Sequence, residues 1–484
     1  MPKIFPVVLA LVMAGCSLAP EYQRPEAPVP AAWPVTGGGA LHDGNAPSGA
    51  VDTASRASDP AQGTAIAADW HSFFPDPRLQ ALIAAALEYN RDLRVAVARV
   101  DEARALAGIA RAERFPTVDL AALRTASLTP GDLSLTGRPL NSQRYDVNLA
   151  MASFELDFWG RAKSLDDAGR ANFLASDYAR QAFRLSLIAD VANAWLSLLE
   201  LGERLELAEA TTRSREESRT LTARRRDVGL VGDLDYLLAD GAFQSARAET
   251  ANLARSQAAA ENALRLLVGA PSMLVDRGKL AQPGLIADLT VGLPAEVLLA
   301  RPDVLAAEQK LIAANANIGA ARAAFLPKIV LTAAAGTASA GLAGLFNAGS
   351  GAWAFAPVLR LPLFDAGRAS DNVDLATARK NVAVAEYEKT IQQAFREIAD
   401  LLAARSLLAG QLQALEANVT AQSQRLVIVE ARYKAGVSNY LELHDAQREL
   451  FVAQQVALVT RRQLLSTAAS FYKALGGGIA ELPN

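Results

Sequence analysis

The chain has 484 residues, with 48 Lys and Arg against 51 Asp and Glu, a net charge of −3, one cysteine and three histidines. That length is ample for large cores, the charge leaves no basic footprint for nucleic acid, and a lone cysteine excludes an internal disulfide framework. His42, His71 and His444 lie far apart with no Cys or second His beside them, which argues against zinc. No HExxH, GxSxG or GxxxxGK[ST] pattern occurs, so the commonest hydrolase and nucleotide-binding arrangements are missing. The glycine-rich run at 336–351 has no lysine after its glycines and reads as a loop.

At the N-terminus, MPKIFPVVLALVMAGC carries one lysine, a short apolar run and small residues before Cys16, the pattern of an export signal. The run is too short to span a membrane as a helix. Met13-Ala14-Gly15-Cys16 resembles the lipobox of bacterial lipoproteins. That resemblance implies removal of residues 1–15 and acylation of Cys16, and Ser17 in place of aspartate implies passage to the outer membrane. The alternative is an ordinary secretory peptide followed by an unpaired thiol. Residues 16–79 then read as an extended segment.

Beyond it the chain repeats itself. Asp92, Gly108, Arg111 and Pro116 recur 211 residues later as Asp303, Gly319, Arg322 and Pro327. Later matches, ELDFWGR (155–161) with PLFDAGR (362–368), Gly229 with Gly436, and LLVGA (266–270) with KALGG (473–477), recur 207 residues on. The repeats span 80–269 and 295–476, joined by a linker at 270–294 and followed by a tail at 477–484.

Each repeat reads in the same order. A helix (about 80–114, and 296–325) stops at Phe115-Pro116 or Leu326-Pro327, since proline cannot continue the hydrogen-bond ladder. A strand pair follows, 118–128 with 144–156 and 329–336 with 352–364, around tips rich in turn formers. Within 145–151, Tyr145, Val147, Leu149 and Met151 share one face and Asp146 and Asn148 the other, as in a strand wetted on one side. A sandwich-core strand would look similar. A very long helix comes next, about 161–229 and 368–436, or roughly 100 Å at the α-helical rise. A glycine turn leads into a return helix ending at Gly269 or Gly476.

In the second long helix Ile391, Phe395, Ile398 and Leu402, then Leu408, Leu412, Leu415 and Val419, then Leu426, Val429 and Tyr433 step by fours and threes. That spacing asks for helix-on-helix packing over a great length. Four strands leave open edges in a single chain. If they enter a membrane they must close, two chains giving eight strands and three giving twelve.

GLPAEVLLARPDVLAAEQKLIAANANIGAARAAFLPKIVLTAAAG (292–336), CSLAPEYQRPEAPVP (16–30), NRDLRVA (90–96), ELDFWGR, ARYKAGVSNYLELHDAQRELF (431–451) and YKALGGG (472–478) resemble the outer-membrane factor family of TolC-like channels, in its OprM-like lipoprotein branch. The resemblance covers essentially the whole mature chain. It implies a mainly α fold with transmembrane β-structure: a homotrimer with a twelve-stranded outer-membrane barrel, a twelve-helix periplasmic tunnel, and an equatorial belt to which the linker contributes. It also implies a passive duct that docks to a periplasmic adaptor and an inner-membrane pump, with no cofactor besides the lipid on Cys16.

By the same resemblance, Leu441 matches an apolar ring and Asp445 a carboxylate ring of a periplasmic gate. Glu442 matches a second acidic position, Arg448 a basic partner of the aspartate, and Asp235 with Tyr433 a latching contact. Ser438 stands where some members carry a cation for that latch. Val228, Gly229, Leu230, Ala435, Gly436 and Val437 match the tips that meet the adaptor. Read without the resemblance, Glu442, Asp445 and Arg448 are equally a solvated helix face, and a glycine at a helix turn is usually only a turn. Competing readings are a duct for metal ions or secreted protein, a periplasmic coiled-coil adaptor or scaffold, and an enzyme using Glu442 and Asp445 as an acid and base pair.

Overall fold

The computed structural model describes residues 18–30, 33, 69–270, 278–280 and 295–477. Cys16, the leader, most of the linker and the tail after 477 lie outside the described residues. The rest forms two compact units, one from the described parts of Met1–Glu26 with Ala98–Tyr178 and Ala306–Glu388, the other from those of Ala27–Val97 with Ala179–Leu305 and Lys389–Asn484.

The helices are α1 (Trp70–Phe73), α2 (Pro77–Tyr89), α3 (Arg91–Ala112), α4 (Arg161–Asp227), α5 (Asp233–Val268), α6 (Pro302–Ala323), α7 (Arg368–Lys434) and α8 (Tyr440–Ala474). The single helices expected at 80–114 and 296–325 are each broken. In the first repeat the break is Asn90, whose side-chain amide donates to Leu267 O at 2.8 Å while its Oδ1 accepts from Leu93 N at 2.8 Å. In the second it is Arg301, followed by Pro302 at the first helical position, where proline's missing N–H costs nothing. Arg301 is buried and donates to Ala474 O at 3.0 Å. It also bridges Asp303 at 2.7 Å and Glu397 at 2.9 Å. Asn90 and Arg301 are repeat equivalents, as are Leu267 and Ala474. The break in each repeat is thus where the C-terminal end of the return helix is capped. Gly269 (φ +73°) terminates α5 there; a Cβ on it would meet Tyr89 O at 2.7 Å, so both the conformation and the contact demand glycine.

The core of the second unit gathers Trp70, Phe73 and Phe74 with Leu79, Leu82 and Ile83 of α2, and with Ile188, Val191, Trp195 and Leu196 of α4. Leu264 of α5 and Tyr472 of α8 complete it. Along α7, Ile391, Ile398, Val429 and Tyr433 are buried and the other members of the stripe are half-buried, as its spacing requires. In the first unit small residues let helices approach closely, with Ala168 and Ala171 of α4 against Ala313 and Ala316 of α6.

The same unit holds one antiparallel sheet in the order β1-β2-β3-β4, from Asp119–Thr129, Leu140–Leu156, Lys328–Ser339 and Gly351–Arg360. β4 stops short of the expected residue 364 because Pro362 offers no donor for the ladder. Register places Leu120, Leu149, Ala335 and Trp353 in one cross-strand row, and Ala121, Asn148, Gly336 and Ala352 in the next. One face therefore carries Leu120, Leu149, Trp353, Phe355 and Leu359, between 57% and 81% exposed, while the other is small or polar apart from Leu123, Leu140, Val330 and Val358. A bulge between Met151 and Phe154, with Ser153 at φ +57°, inserts one residue. Without it Ser153 would join the apolar face; with it Phe154 does, and Glu155 returns to the polar side, where Arg161 and Lys328 pair with it at 2.7 Å.

Candidate functional site: the helical-hairpin turns

α4 turns into α5, and α7 into α8, through the same device. Gly229 and Gly436 adopt φ +78° and +75°. The following residues fold back onto the helix end, Leu230 N donating to Arg225 O at 2.8 Å and Val437 N to Arg432 O at 2.9 Å. This is a Schellman closure, which needs a left-handed residue. A Cβ on either glycine would meet nothing within 4 Å, so the requirement is conformational and the space around each turn is open. Val228, Leu230 and Val437 are each about 70% exposed beside these glycines, and Ala435 is exposed too.

α8 begins with Asn439, whose side chain accepts from Glu442 N at 3.0 Å. Glu442 therefore occupies the third position of the helix, where a carboxylate favours the positive end of the backbone dipoles. Its oxygens accept from the Ser438 hydroxyl and face Arg432 at 3.6 Å. Where the resemblance assigns Ser438 a cation's place, the serine holds Glu442 directly and Arg432 supplies the charge.

Asp445 lies one turn further along α8. It pairs with Arg448 at 2.8 Å, as expected, and with Arg425 of α7 at 2.6 Å. The Arg425 hydrogen bond holds its carboxyl below the usual carboxylate range. Arg425 was not singled out in the sequence, yet a signal exists: partners across an antiparallel hairpin sit nearly equidistant from the turn. The first hairpin obeys the same rule, Arg219 of α4 bridging Asp240 of α5 at 2.8 Å. Leu441 and its repeat equivalent Leu234 stay exposed at the start of each return helix, at 56% and 71%.

Tyr433 is buried, edge-on to Tyr440 with ring centres 6.1 Å apart, and Arg225 lies 4.9 Å above its ring. Among the described residues no hydrogen bond joins Tyr433 to Asp235. Asp235 is half-buried in the first turn of α5, and within the chain Tyr433 has the Arg225 guanidinium on its face. His444 stacks parallel to Tyr440, and burial together with Arg215 and Arg448 holds its imidazole below the ordinary value.

A sheet with both edges open and one large apolar face exposed, in a chain whose helices form two arginine-bridged hairpins, is the arrangement of a membrane β-structure carried on long helices. The sequence profile of the outer membrane efflux protein family matches residues 82–270 and 293–477. The chain belongs to that family. It is 44% identical over 474 residues to the toluene efflux pump outer membrane protein TtgF of Pseudomonas putida, covering 98% of this chain and 96% of that one. It is 42% identical over 477 residues to the outer membrane protein OprJ of Pseudomonas aeruginosa, with 98% and 95% covered. Among solved structures it matches a membrane protein from Pseudomonas aeruginosa at 40% identity with a TM-score of 0.86, covering 96% and 98%. It also matches the open state of the Neisseria gonorrhoeae MtrE outer membrane channel at 37% identity with a TM-score of 0.81, covering 96% and 99%. The two profile segments fall on the two repeats. The protein is an outer-membrane efflux channel component, and the family is one of channels rather than enzymes.

Proposed function

We propose that three copies of this chain close their sheets into one twelve-stranded barrel, continue it as a twelve-helix periplasmic tunnel, and serve as the passive exit of a tripartite pump. One observation supports assembly from several copies: the four-stranded sheet has a one-sided apolar face suited to lipid and two unpaired edges, which lipid does not tolerate until edges of neighbouring copies pair, and the family resemblance supplies the number three. The relatives whose names specify toluene support organic solvents and drugs as cargo, chosen by an inner-membrane pump and delivered through a periplasmic adaptor.

In this reading the hairpin turns meet the adaptor through Val228, Gly229, Leu230, Ala435, Gly436 and Val437, exposed and open around both glycines. The gate is built chiefly from Leu441 and Asp445, with Arg425 and Arg448 neutralising the carboxylates that threefold symmetry brings together. Glu442 serves the start of α8 first and the gate second. Tyr433 and Asp235 belong to the same turn region, with Arg225 as the tyrosine's partner. Cys16 carries the lipid in this reading. The direct test is light scattering on detergent-purified protein combined with susceptibility profiling of a deletion strain. A three-chain particle and hypersensitivity to toluene and antibiotics are expected; a monomer with unchanged susceptibility overturns the proposal.

A further inference from the structure

Residues 18–24, within the segment CSLAPEYQRPEAPVP singled out in the sequence, have a receptor within their own unit. Arg322 donates to Leu18 O at 3.3 Å. A Cβ on Gly319 would meet Ala19 N at 2.7 Å, so the chain passes against the bare backbone of α6 at that point. Asn315 Nδ2 donates to Pro20 O at 2.7 Å. Glu308 then takes both remaining side chains: the Tyr22 hydroxyl donates to Oε1 at 3.0 Å, and Arg24 donates to both carboxylate oxygens at 2.6 and 2.8 Å.

The contacts run in strict antiparallel order, 18 to 24 against 322 to 308. Six extended residue steps cover about 20 Å, and fourteen helical steps cover about 21 Å. The strap and the helix are matched in length over the whole run, with Tyr22 and Arg24 converging on Glu308 at its end.

The chemistry is equally specific. The Glu308 side chain is 6% exposed while that of Arg24 is 50% exposed. A carboxylate buried that deeply is costly unless paired and hydrogen-bonded, and the partners it has come from the strap. Burial and Glu308 together push the Tyr22 hydroxyl up, so it remains a donor. We propose that α6 carries a peptide-recognition site, built from Glu308, Asn315, Gly319 and Arg322, whose ligand is the chain's own mature N-terminus in extended form. Glu308 is its positioning residue, and Tyr22 and Arg24 are the groups it reads. The strap sets the course of residues 18–24, which run with Leu18 toward the α6 end that leads into β3.

The experiment uses the full mature chain exported without acylation, with Cys16→Ser and a nitroxide label on Gln23→Cys, an exposed position between the two recognised side chains. Because no lipid is present, the result does not depend on Cys16 acylation, nor on the channel's cargo. The parent chain should give a motionally restricted spectrum. Glu308→Gln, which keeps the shape and loses the charge-assisted pair, should raise the mobile fraction roughly tenfold or more. Gly319→Leu, which fills the seat of Ala19, presses equally on Ser164 Oγ of α4 and leaves Glu308 untouched, should release the strap as well. Circular dichroism confirms that each variant keeps its helices, and a variant that loses them is replaced by Arg24→Gln, which acts from the strap side. A strap already mobile in the parent, or one that stays restricted in both Glu308→Gln and the second folded variant, overturns the inference.

Discussion

Replacing Asp445 with alanine tests the gate where its chemistry is most concentrated. In one chain the substitution removes two ion pairs, to Arg425 at 2.6 Å and to Arg448 at 2.8 Å. All three side chains are between 38% and 57% exposed, so solvent screens them and each pair is worth about 0.5 to 1 kcal/mol at most. The Arg448 pair lies within α8 and persists in either state, so the proposed trimer loses three pairs between helices, or about 1.5 to 3 kcal/mol. A full shift from 1:99 to 99:1 takes about 5.5 kcal/mol, so the variant should raise the open fraction roughly tenfold or more without opening every channel. Glu442→Ala in the same chain adds the weaker Arg432 contact. The assay is conductance of purified protein in planar bilayers. Acid supplies the same perturbation without mutation. Since the carboxyl is depressed in the folded chain, its contribution is complete above the ordinary aspartate value and is lost as pH falls through the lower folded value. Wild-type conductance should therefore stay flat from about pH 7 to 5 and rise only below about pH 4. Low, unchanged conductance in Asp445→Ala, or a wild-type rise already complete at pH 5, refutes the reasoning.

Three further outcomes follow from other parts of the molecule. Gly436→Val forces a β-branched residue into a left-handed turn, at a cost of about 1 to 2 kcal/mol; the open space around it means the fold should survive, while efflux measured by dye retention should fall. Trp353→Lys places a charge on the apolar face of β4, where the cost is about 2 to 4 kcal/mol at mid-membrane, so the chain should be depleted from the outer-membrane fraction. Cys16→Ala should abolish labelling by radioactive palmitate and alter fractionation, with drug susceptibility changed less than by deletion of the gene; retained labelling removes the acylation reading.

Much of this architecture is written in the sequence because duplication states everything twice. The two Phe/Leu-Pro stops, the two Gly-Arg starts and the two turn glycines fix element order, and alternation at 145–151 gives the faces of β2. The breaks at Asn90 and Arg301 escaped because neither residue is a strong helix breaker: what interrupts the helix is a tertiary partner, the carbonyl end of a return helix far along the chain. Pro302 was the local clue, and it marks a start rather than a stop. At the turns, Asp445 and Arg448 were legible as a pair three residues apart on one helix face, whereas Arg425 required folding the hairpin back on itself. The bulge at Ser153 had no signal in composition, since a one-residue insertion becomes visible only once the neighbouring strand supplies a register.

The equivalent breaks are chemically unlike. Position 90 closes its seam with a neutral amide and position 301 with a guanidinium that also gathers two carboxylates, yet both reach the carbonyl at the same place in their repeat. Both repeats keep a donor that reaches this seam, and only the second carries a charge there. The two halves consequently respond to different solvents: salt and acid act on the electrostatic seam of the second repeat and leave the amide seam of the first untouched.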